Sequence, residues 1–398
     1  MEEMWLEYFR QYLGQEFPKF LSEKVWNYKD DLCVIGAHDL AEATGDPEWD
    51  AFLVNQAHWL MAEDGTVANW KEGENNIDKI SFGKSLRILR DLTGDPDSKY
   101  AVAVECAYEF LKHYPRTETG NFWHKDIYPN QVWLDGLYMA MPFYAKTIAE
   151  NGDDRWDDII DQFESAHRLL WDEKKKLYVH GCDVSKKADW ADPETGRSPG
   201  VWLRAEGWYL MALCDVYELA KGRTGHAEEL RELLERAVEG ILLYQDQKTG
   251  MFYQSVDYAE LEGNYLETSG SAMVAYALMK GARLGILRSD LGAEGERILE
   301  GIRTSYLKRE DDGLHLYGIC ASAGLGAGPD PHNRKDRTGK PEYYVSEVQM
   351  RDNQHGSAVC MMAVSELLRR LVRLRQLDKS CKRALAPGKS AEASLALP

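Results

Sequence analysis

One helix-ending turn recurs three times in the first half of the chain. The sequence reads ATGDPEW at 43–49, LTGDPDSKY at 92–100 and ENGDDRW at 150–156. In each copy a glycine ends an apolar helical run, and acidic or proline residues begin the next helix. A turn repeated at similar spacing predicts a repeating unit built from paired helices.

The predicted helices are of two kinds. Three carry an apolar stripe opposite a charged face and are expected on the outside: SKYAVAVECAYEFLKHY, AEELRELLERAVEGILLYQD and EGERILEGIRTSYLKRE. Others are apolar almost all round and must be enclosed: CVIGAHDLAEA, DGLYMAMPFYA, GWYLMALCDVYELA, SGSAMVAYALMKGARLG and HGSAVCMMAVSELL. The inner helices begin near six residues: Asn27, Asp78, Asp135, Arg204, Thr268 and His355.

Alternating outer and inner helices predict an all-α fold, an (α/α)6 barrel of six helical hairpins. Short glycine-centred extended pieces begin at Gly120, Lys176, Thr249 and Asp312 and favour brief strands or hairpins. The inner-helix starts and these pieces are expected at one end of the barrel, where they form a single pocket. Residues 1–378 are predicted to be one catalytic domain, followed by a loose tail over 379–398.

The composition excludes several classes of function. The formal net charge is −18, and without a basic cluster this makes nucleic acid an unsuitable partner. No apolar stretch is long enough for a membrane helix, and the acidic amphipathic start is not a secretory signal, so we expect a cytoplasmic protein. The seven scattered cysteines are predicted to be buried hydrophobes.

Aromatic residues make up 11% of the chain, and many lie at the inner-helix starts. They include Trp26, Tyr28, Trp123, Tyr128, Trp133, Tyr138, Trp202, Trp208 and Tyr265. Apolar rings beside carboxylates suit a sugar, whose C–H faces stack while its hydroxyls need polar partners. Core packing explains about half of these rings by the usual burial trend. Trp26 and Tyr28 are candidates for substrate binding.

Two aspartates begin neighbouring inner helices. Asp135 lies in PNQVWLDGLYM and Asp78 in NNIDKISFG. Each could simply cap its helix, which would lower its pKa. A catalytic Asp135 would need burial among aromatic rings and a second carboxylate to raise its pKa, and Asp78 is the candidate for that carboxylate.

Further polar candidates lie at the same end. Arg204 sits on a nearly uncharged helix and needs an anion, either Glu206 or Asp215 structurally or a substrate carboxylate functionally. Additional rim candidates are His124 and His180, which occupy equivalent places in successive repeats, with Lys125 and His355. The chain has no metal-binding, nucleophile-elbow or phosphate-loop motif, so neither a metal nor another cofactor is expected.

Several longer stretches resemble the unsaturated glycuronyl hydrolases of glycoside hydrolase family 105. They are GNFWHKDIYPNQVWLDGLYM, WADPETGRSPGVWLRAEGWYLMAL, YQDQKTGMFYQ and NYLETSGSAM, with EYYVS and HGSA, within a likeness running from about Trp26 to His355. The resemblance implies an (α/α)6 barrel with its general acid at Asp135 and a second aspartate at Asp78. It also implies substrate contacts from His124, His180, Arg204 and Trp208. The chain departs from its relatives at Asn27, where they commonly carry His, and in a longer glycine-rich segment at 321–341.

The resemblance implies hydration of an alkene rather than direct glycoside cleavage. Polysaccharide lyases leave a C4=C5 double bond on the nonreducing uronyl residue, which Asp135 would protonate at C4 before water adds at C5. Arg204, helped by Lys125 or His124, would bind the uronate carboxylate, and Trp208 would stack on the ring. The expected substrates are small oligosaccharides, namely lyase-generated rhamnogalacturonan fragments with a 4,5-unsaturated galacturonyl end.

Three alternatives remain open at this point. The uronyl group could be glucuronyl on another anionic polysaccharide. The barrel could also be an ordinary inverting glycosidase with Asp78 as base and Asp135 as acid, or a catalytically silent sugar-binding protein. The sequence does not fix the oligomeric state, and a monomer is compatible with it.

Overall fold

A computed structural model describes residues 1–23, 25–71, 73–95, 97–326 and 337–385 of the chain. The helices are α1 (Glu2–Gln11), α2 (Phe17–Glu23), α3 (Tyr28–Thr44), α4 (Glu48–Leu60), α5 (Phe82–Thr93), α6 (Lys99–Lys112), α7 (Leu134–Asn151), α8 (Trp156–Leu170), α9 (Leu203–Ala220), α10 (Ala227–Leu242), α11 (Thr268–Leu284), α12 (Leu291–Tyr306), α13 (Pro341–Val345) and α14 (Gln354–Leu385). The strands are β1 (Gln131–Trp133), β2 (Trp171–Asp172), β3 (Leu177–Tyr178), β4 (Gly181–Asp183), β5 (Leu307–Glu310), β6 (Gly313–Leu316), β7 (Ile319–Cys320) and β8 (Gln349–Met350). A π-helical turn, Tyr12–Glu16, follows α1, and a 3-10 turn, Ile77–Ser81, leads into α5.

Six helices form a closed inner ring. In ring order they are α3, α5, α7, α9, α11 and α14, and α14 packs back against α3. The helices α4, α6, α8, α10 and α12 each follow an inner helix and pack against it on the outside, and α1 packs against α14. The predicted (α/α)6 barrel is therefore confirmed, although the sixth pair joins the two ends of the chain.

The inner helices are enclosed because their residues are small and apolar. Fifteen of the residues of α9 are buried, and Gly207 lies so close to α11 that a Cβ there would be 2.6 Å from the Met273 sulfur. By contrast, the outer helix α10 buries only one stripe, which includes Leu230 and Ile241. The two helix kinds predicted from hydrophobic patterning thus occupy the expected layers.

The three repeated turns have one geometry. Gly45, Gly94 and Gly152 end α3, α5 and α7 in the left-handed conformation, with φ of 72°, 67° and 67°. Glycine adopts this conformation without the Cβ clash of other residues, and its N–H closes the last helical turn. The turns therefore return the chain from each inner helix to the next outer helix.

Short strands cover the other end of the barrel. The pair β1–β4 places Trp133 opposite Gly181, and α7 begins directly after β1. Of the four predicted extended pieces, those from Lys176 and Asp312 form strands, whereas those from Gly120 and Thr249 contribute isolated bridges. The inner-helix starts and the extended pieces lie together, as predicted.

Some predictions about the surface and the tail need correction. The helix α14 continues to Leu385, so the boundary placed before residue 379 lies inside a helix, while 386–398 fall outside the described residues. Within the segment 321–341, residues 327–336 also lie outside the described part. Five cysteines are buried as predicted, but Cys106 is exposed, and the side chain of Cys381 is not among those described. Within the described ranges no helix is both long and apolar enough to cross a bilayer.

Candidate active site

A cavity of about 420 Å³ opens among the starts of α3, α5, α7 and α14. Its lining includes six of the predicted site residues: Tyr28, Asp78, His124, Lys125, Asp135 and His355. A larger cleft of about 680 Å³ lies on the outer surface between Trp171 and α10, and its lining contains none of the predicted site residues. The volume and mixed lining of the smaller cavity suit a small sugar ligand.

Asp135 is the second residue of α7, and its half-buried carboxyl faces the cavity. Trp133 occupies the N-cap position and makes no side-chain capping bond, so the reading of Asp135 as an N-cap is wrong. Asp135 Oδ2 lies 3.1 Å from His180 Nε2, but neither atom makes a hydrogen bond to the described residues. An imidazole nitrogen therefore lies close to the carboxylate without a well-aligned hydrogen bond.

The electrostatics of Asp135 differ from the prediction. Burial raises the pKa of its carboxyl, but the close approach of His180 and a smaller contribution from His124 together outweigh burial and lower the pKa below its usual value. Asp135 is therefore ionised in this structure at neutral pH, and its surroundings do not supply the raised pKa that a catalytic acid needs. His180 lies behind Asp135 with no exposed surface and does not line the cavity.

Asp78 faces the same cavity from the 3-10 turn before α5. Asn76, not Asp78, caps this turn, because the Asn76 side chain accepts from the Asp78 N–H. Lys125 Nζ lies 2.6 Å from Asp78 Oδ2, and His124 Nε2 lies 4.0 Å from its other oxygen. Burial lowers the pKa of His124 to about 4, so its imidazole is neutral near pH 7. The partner of Asp78 in this structure is therefore the Lys125 ammonium.

Tyr28 and His355 form a hydrogen-bonded pair across the junction of α3 and α14. The Tyr28 hydroxyl lies 2.8 Å from His355 Nε2, and His355 Nδ1 lies 3.0 Å from Asn353 Oδ1. Burial, with the charge of Arg204, lowers the pKa of His355 well below its usual value, so the imidazole is neutral. Because an amide oxygen only accepts, Nδ1 carries the proton and Nε2 accepts from Tyr28.

Arg204 is enclosed behind this wall. Its side chain is 1% exposed and contacts Glu267 at 3.7 Å, while Nε donates to Ser269 and Nη2 to the Cys320 carbonyl. The structural partners expected from sequence, Glu206 and Asp215, are not its partners. Arg204 does not line the cavity, although its Nη1 has no hydrogen-bond partner among the described side chains and backbone.

Two tryptophans predicted to bind the substrate are core residues here. Trp26 is 2% exposed and donates its indole N–H to Asp31. Trp208 is 1% exposed and stacks on Tyr138 with ring centroids 4.8 Å apart. Neither ring lines the cavity, so the stacking surface predicted for Trp208 is not accessible in this structure.

Sequence reasoning missed several lining residues. Arg337 reaches the cavity and donates to the Tyr128 hydroxyl at 2.5 Å, and Tyr128 stacks on Trp133. Lys29 and Lys79 also line the cavity. Only the aromatic residues formed a sequence pattern that pointed to the cavity. Single basic residues carry no such pattern, because they are common on solvated surfaces.

The described lining has a positive character within an acidic protein. It contains four cations, Lys29, Lys79, Lys125 and Arg337, and two carboxylates, Asp78 and Asp135. The chain as a whole has a net charge of −18. Cations concentrated in a cleft attract an anionic ligand and orient its charged group.

Comparison with known proteins identifies the family of the chain. The sequence matches the family model of Glycosyl Hydrolase Family 88 over residues 2–371. A protein of Agrobacterium fabrum, Atu3128, is 38% identical over 58% of this chain and 98% of its own length. The unsaturated rhamnogalacturonyl hydrolase YesR of Bacillus subtilis is 26% identical over 67% of this chain and 73% of its own length.

Comparison with solved structures indicates the same family. The C. acetobutylicum glycoside hydrolase from family 105 superposes with a TM-score of 0.84 at 36% identity, covering 90% of this chain and 99% of that one. The unsaturated glucuronyl hydrolase of Bacillus sp. GL1 shares the fold, with a TM-score of 0.62 at 16% identity over 85% of this chain and 86% of that one. The chain therefore belongs to the glycoside hydrolases of families 88 and 105, the unsaturated glycuronyl hydrolases.

Proposed function

We propose that this enzyme removes 4,5-unsaturated galacturonyl residues from the nonreducing end of lyase-generated rhamnogalacturonan oligosaccharides. The observation that carries the proposal is the placement of Asp135 in a cavity rich in cations and aromatic rings. The name of the YesR relative supports the choice of a rhamnogalacturonan substrate. The cytoplasmic location stays a prediction of the sequence.

The proposed chemistry begins with proton transfer to carbon. The Asp135 carboxyl donates its proton to C4 of the alkene, and oxocarbenium character develops at C5. A water oxygen then bonds to C5 and releases a proton to a carboxylate, Asp135 or Asp78. The hemiketal opens to a ketone, and the hemiacetal left at C1 expels the sugar.

The ionised resting state of Asp135 fits this sequence of steps. A uronate carboxylate bound beside Asp135 adds a second negative charge, which raises the pKa of Asp135. The substrate itself would then help to load the proton donor. Lys125 is the lining cation adjoining Asp78 and is our candidate for holding the uronate, in place of the enclosed Arg204.

A panel of disaccharides tests the proposal. The substrates are the unsaturated uronyl residue linked to rhamnose, the same unsaturated residue linked to N-acetylglucosamine, and saturated galacturonyl-rhamnose. Elimination removes the C4 stereocentre that separates galacturonate from glucuronate, so the leaving sugar is what distinguishes the source polysaccharides. The ultraviolet absorbance of the conjugated alkene and the release of free sugar are followed together. We expect both changes with the first compound and neither with the saturated one.

Two outcomes would redirect the proposal. Cleavage of the saturated analogue would favour the inverting glycosidase. Loss of absorbance only with the N-acetylglucosamine-linked compound would assign a different polysaccharide to the same chemistry. The absence of turnover with all three compounds would contradict the proposed substrate class.

A further inference from the structure

The EYYVS segment lies beside the catalytic candidates, but no step of the proposed chemistry involves it. It forms the short helix α13, whose Tyr344 is fully buried. The Tyr344 hydroxyl lies 3.0 Å from His180 Nδ1, and the other ring nitrogen of His180 lies 3.1 Å from Asp135 Oδ2. Tyr344, His180 and Asp135 therefore form a continuous line from α13 to the cavity.

Tyr344 is fixed in position from three directions. Its carbonyl accepts from Gln254 Nε2 at 3.2 Å, and its ring lies parallel to that of Trp202, 6.1 Å away and inclined by 8°. Gly200 approaches so closely that a Cβ there would lie 3.0 Å from the Tyr344 ring. The hydroxyl is thus held in place beside His180 before any substrate binds.

The chemistry of the hydroxyl determines what His180 presents to Asp135. Burial, with the nearby charges of Asp135 and Asp257, raises the pKa of Tyr344 well above its usual value, so the hydroxyl keeps its proton. A neutral imidazole that accepts this proton at Nδ1 must carry its own proton on Nε2. That N–H then faces the Asp135 carboxylate.

We propose that Tyr344 is a positioning residue, which holds the His180 ring with its Nε2–H toward Asp135 and so keeps that carboxylate ionised until substrate binds. The inference rests on the proposed role of Asp135 as proton donor. The other titratable groups acting on this line are His124, which adjoins Asp135 and is neutral near pH 7, and Asp257, which acts on Tyr344. Trp133 and Trp202 pack against the ring, and the Tyr344 hydroxyl supplies the hydrogen bond at Nδ1 that selects which nitrogen faces Asp135 with a proton.

The pH profile of kcat tests the proposal. In Tyr344→Phe the His180 ring loses its anchor and turns from Asp135, while Asp135 stays buried, so the pKa of Asp135 rises. We expect the alkaline limb of kcat to move to higher pH by about one unit. The matched control is Tyr343→Phe, which removes a hydroxyl of the same helix that accepts from the Gly324 N–H at 3.1 Å. This variant should keep the wild-type profile.

A uniform loss of kcat at every pH in Tyr344→Phe, with an unshifted limb, would overturn the proposal and leave Tyr344 a structural residue. An equal shift in both variants would overturn it as well. A wild type inactive on every unsaturated uronide would instead contradict the proposed function, because the inference concerns the position of the limb.

A second measurement does not depend on activity or on the stability of the variant. Nitrogen-15 NMR of the ten histidines in the wild type, with His180 assigned through His180→Gln, reports which ring nitrogen carries the proton. We expect the Nε2 of His180 to carry a proton. A His180 ring that carries a proton on Nδ1 and none on Nε2 would overturn the proposal.

Discussion

The starts of α7 and α9 are built alike, but the charged residue on α7 is exposed to the cavity and the one on α9 is enclosed. Each begins after an extended tryptophan, Trp133 or Trp202, which occupies the N-cap position without a side-chain capping bond. A fully buried leucine follows, and then a charged residue, Asp135 on α7 or Arg204 on α9. The Asp135 side chain is 14% exposed and faces the cavity, whereas that of Arg204 is 1% exposed.

The difference comes from the segments that cover each helix start. Over α9, the carbonyl of Cys320 and the side chains of Ser269 and Glu267 surround the guanidinium. Over α7, His180 lies beneath the carboxyl and leaves the cavity side open. The repeat therefore places a functional side chain at the barrel mouth, but neighbouring segments decide whether it can meet a substrate.

The largest expected effect follows from Asp135→Asn. If Asp135 is the proton donor, the amide abolishes that step, and we expect activity to fall by about 10²- to 10⁴-fold while substrate binding is retained. Loss of alkene absorbance gives the rate, and calorimetric titration gives the affinity. The control is Asp126→Asn, an exposed aspartate on a nearby loop that bonds Asn75, which should retain activity. Near-normal turnover in Asp135→Asn would contradict the role assigned to the α7 start.

Arg204→Met should lower the free energy of unfolding. It leaves the buried Glu267 without its cation, and breaking such a pair destabilises by about 3–5 kcal/mol, measured by urea unfolding. Adding Glu267→Gln removes the stranded charge, so the double variant should be more stable than the sum of the single changes predicts. An unchanged unfolding free energy together with a raised KM would show that Arg204 meets substrate after all.

His124, which lies beside the start of α7, makes the free energy of unfolding depend on pH. Its pKa is about 4 in the folded protein and about 6.5 when unfolded, so the unfolded chain binds more protons between these values. Stability is therefore fully present above pH 6.5 and falls by about 3 kcal/mol as pH approaches 4. His124→Gln should flatten this dependence in urea titrations at pH 7 and pH 5. The exposed His226 is the control, and an equal flattening by His226→Gln would contradict this origin.

The smallest effect on substrate binding is expected for Trp208→Phe. Trp208 is enclosed and stacked on Tyr138, so KM should change by less than about twofold, while stability falls by about 1–2 kcal/mol. Trp133 lines the cavity, and Trp133→Phe should raise KM more than the Trp208 change does. The reverse order of the two KM values would mean that the ring on α9 reaches the sugar.

The sequence predicted which residues would meet at one cavity better than it predicted their contacts. Asp135, Asp78, His124, Lys125, Tyr28 and His355 were placed together correctly, because each lies at an inner-helix start or on an extended piece beside one. The enclosure of Arg204, Trp208 and Trp26 was not foreseen, since it depends on segments distant along the chain, such as the strand containing Cys320. Arg337 was missed because a single basic residue carries no local pattern.

The barrel itself was determined by the sequence, since helix amphipathicity and glycine-terminated turns are local properties that repeat along the chain. The partners of its two cavity aspartates were decided only by the tertiary structure. Asp135 was expected beside a second carboxylate, but it meets His180, and Asp78 meets Lys125. Charges within a few ångströms set a pKa, and which charges come that close depends on how distant segments pack.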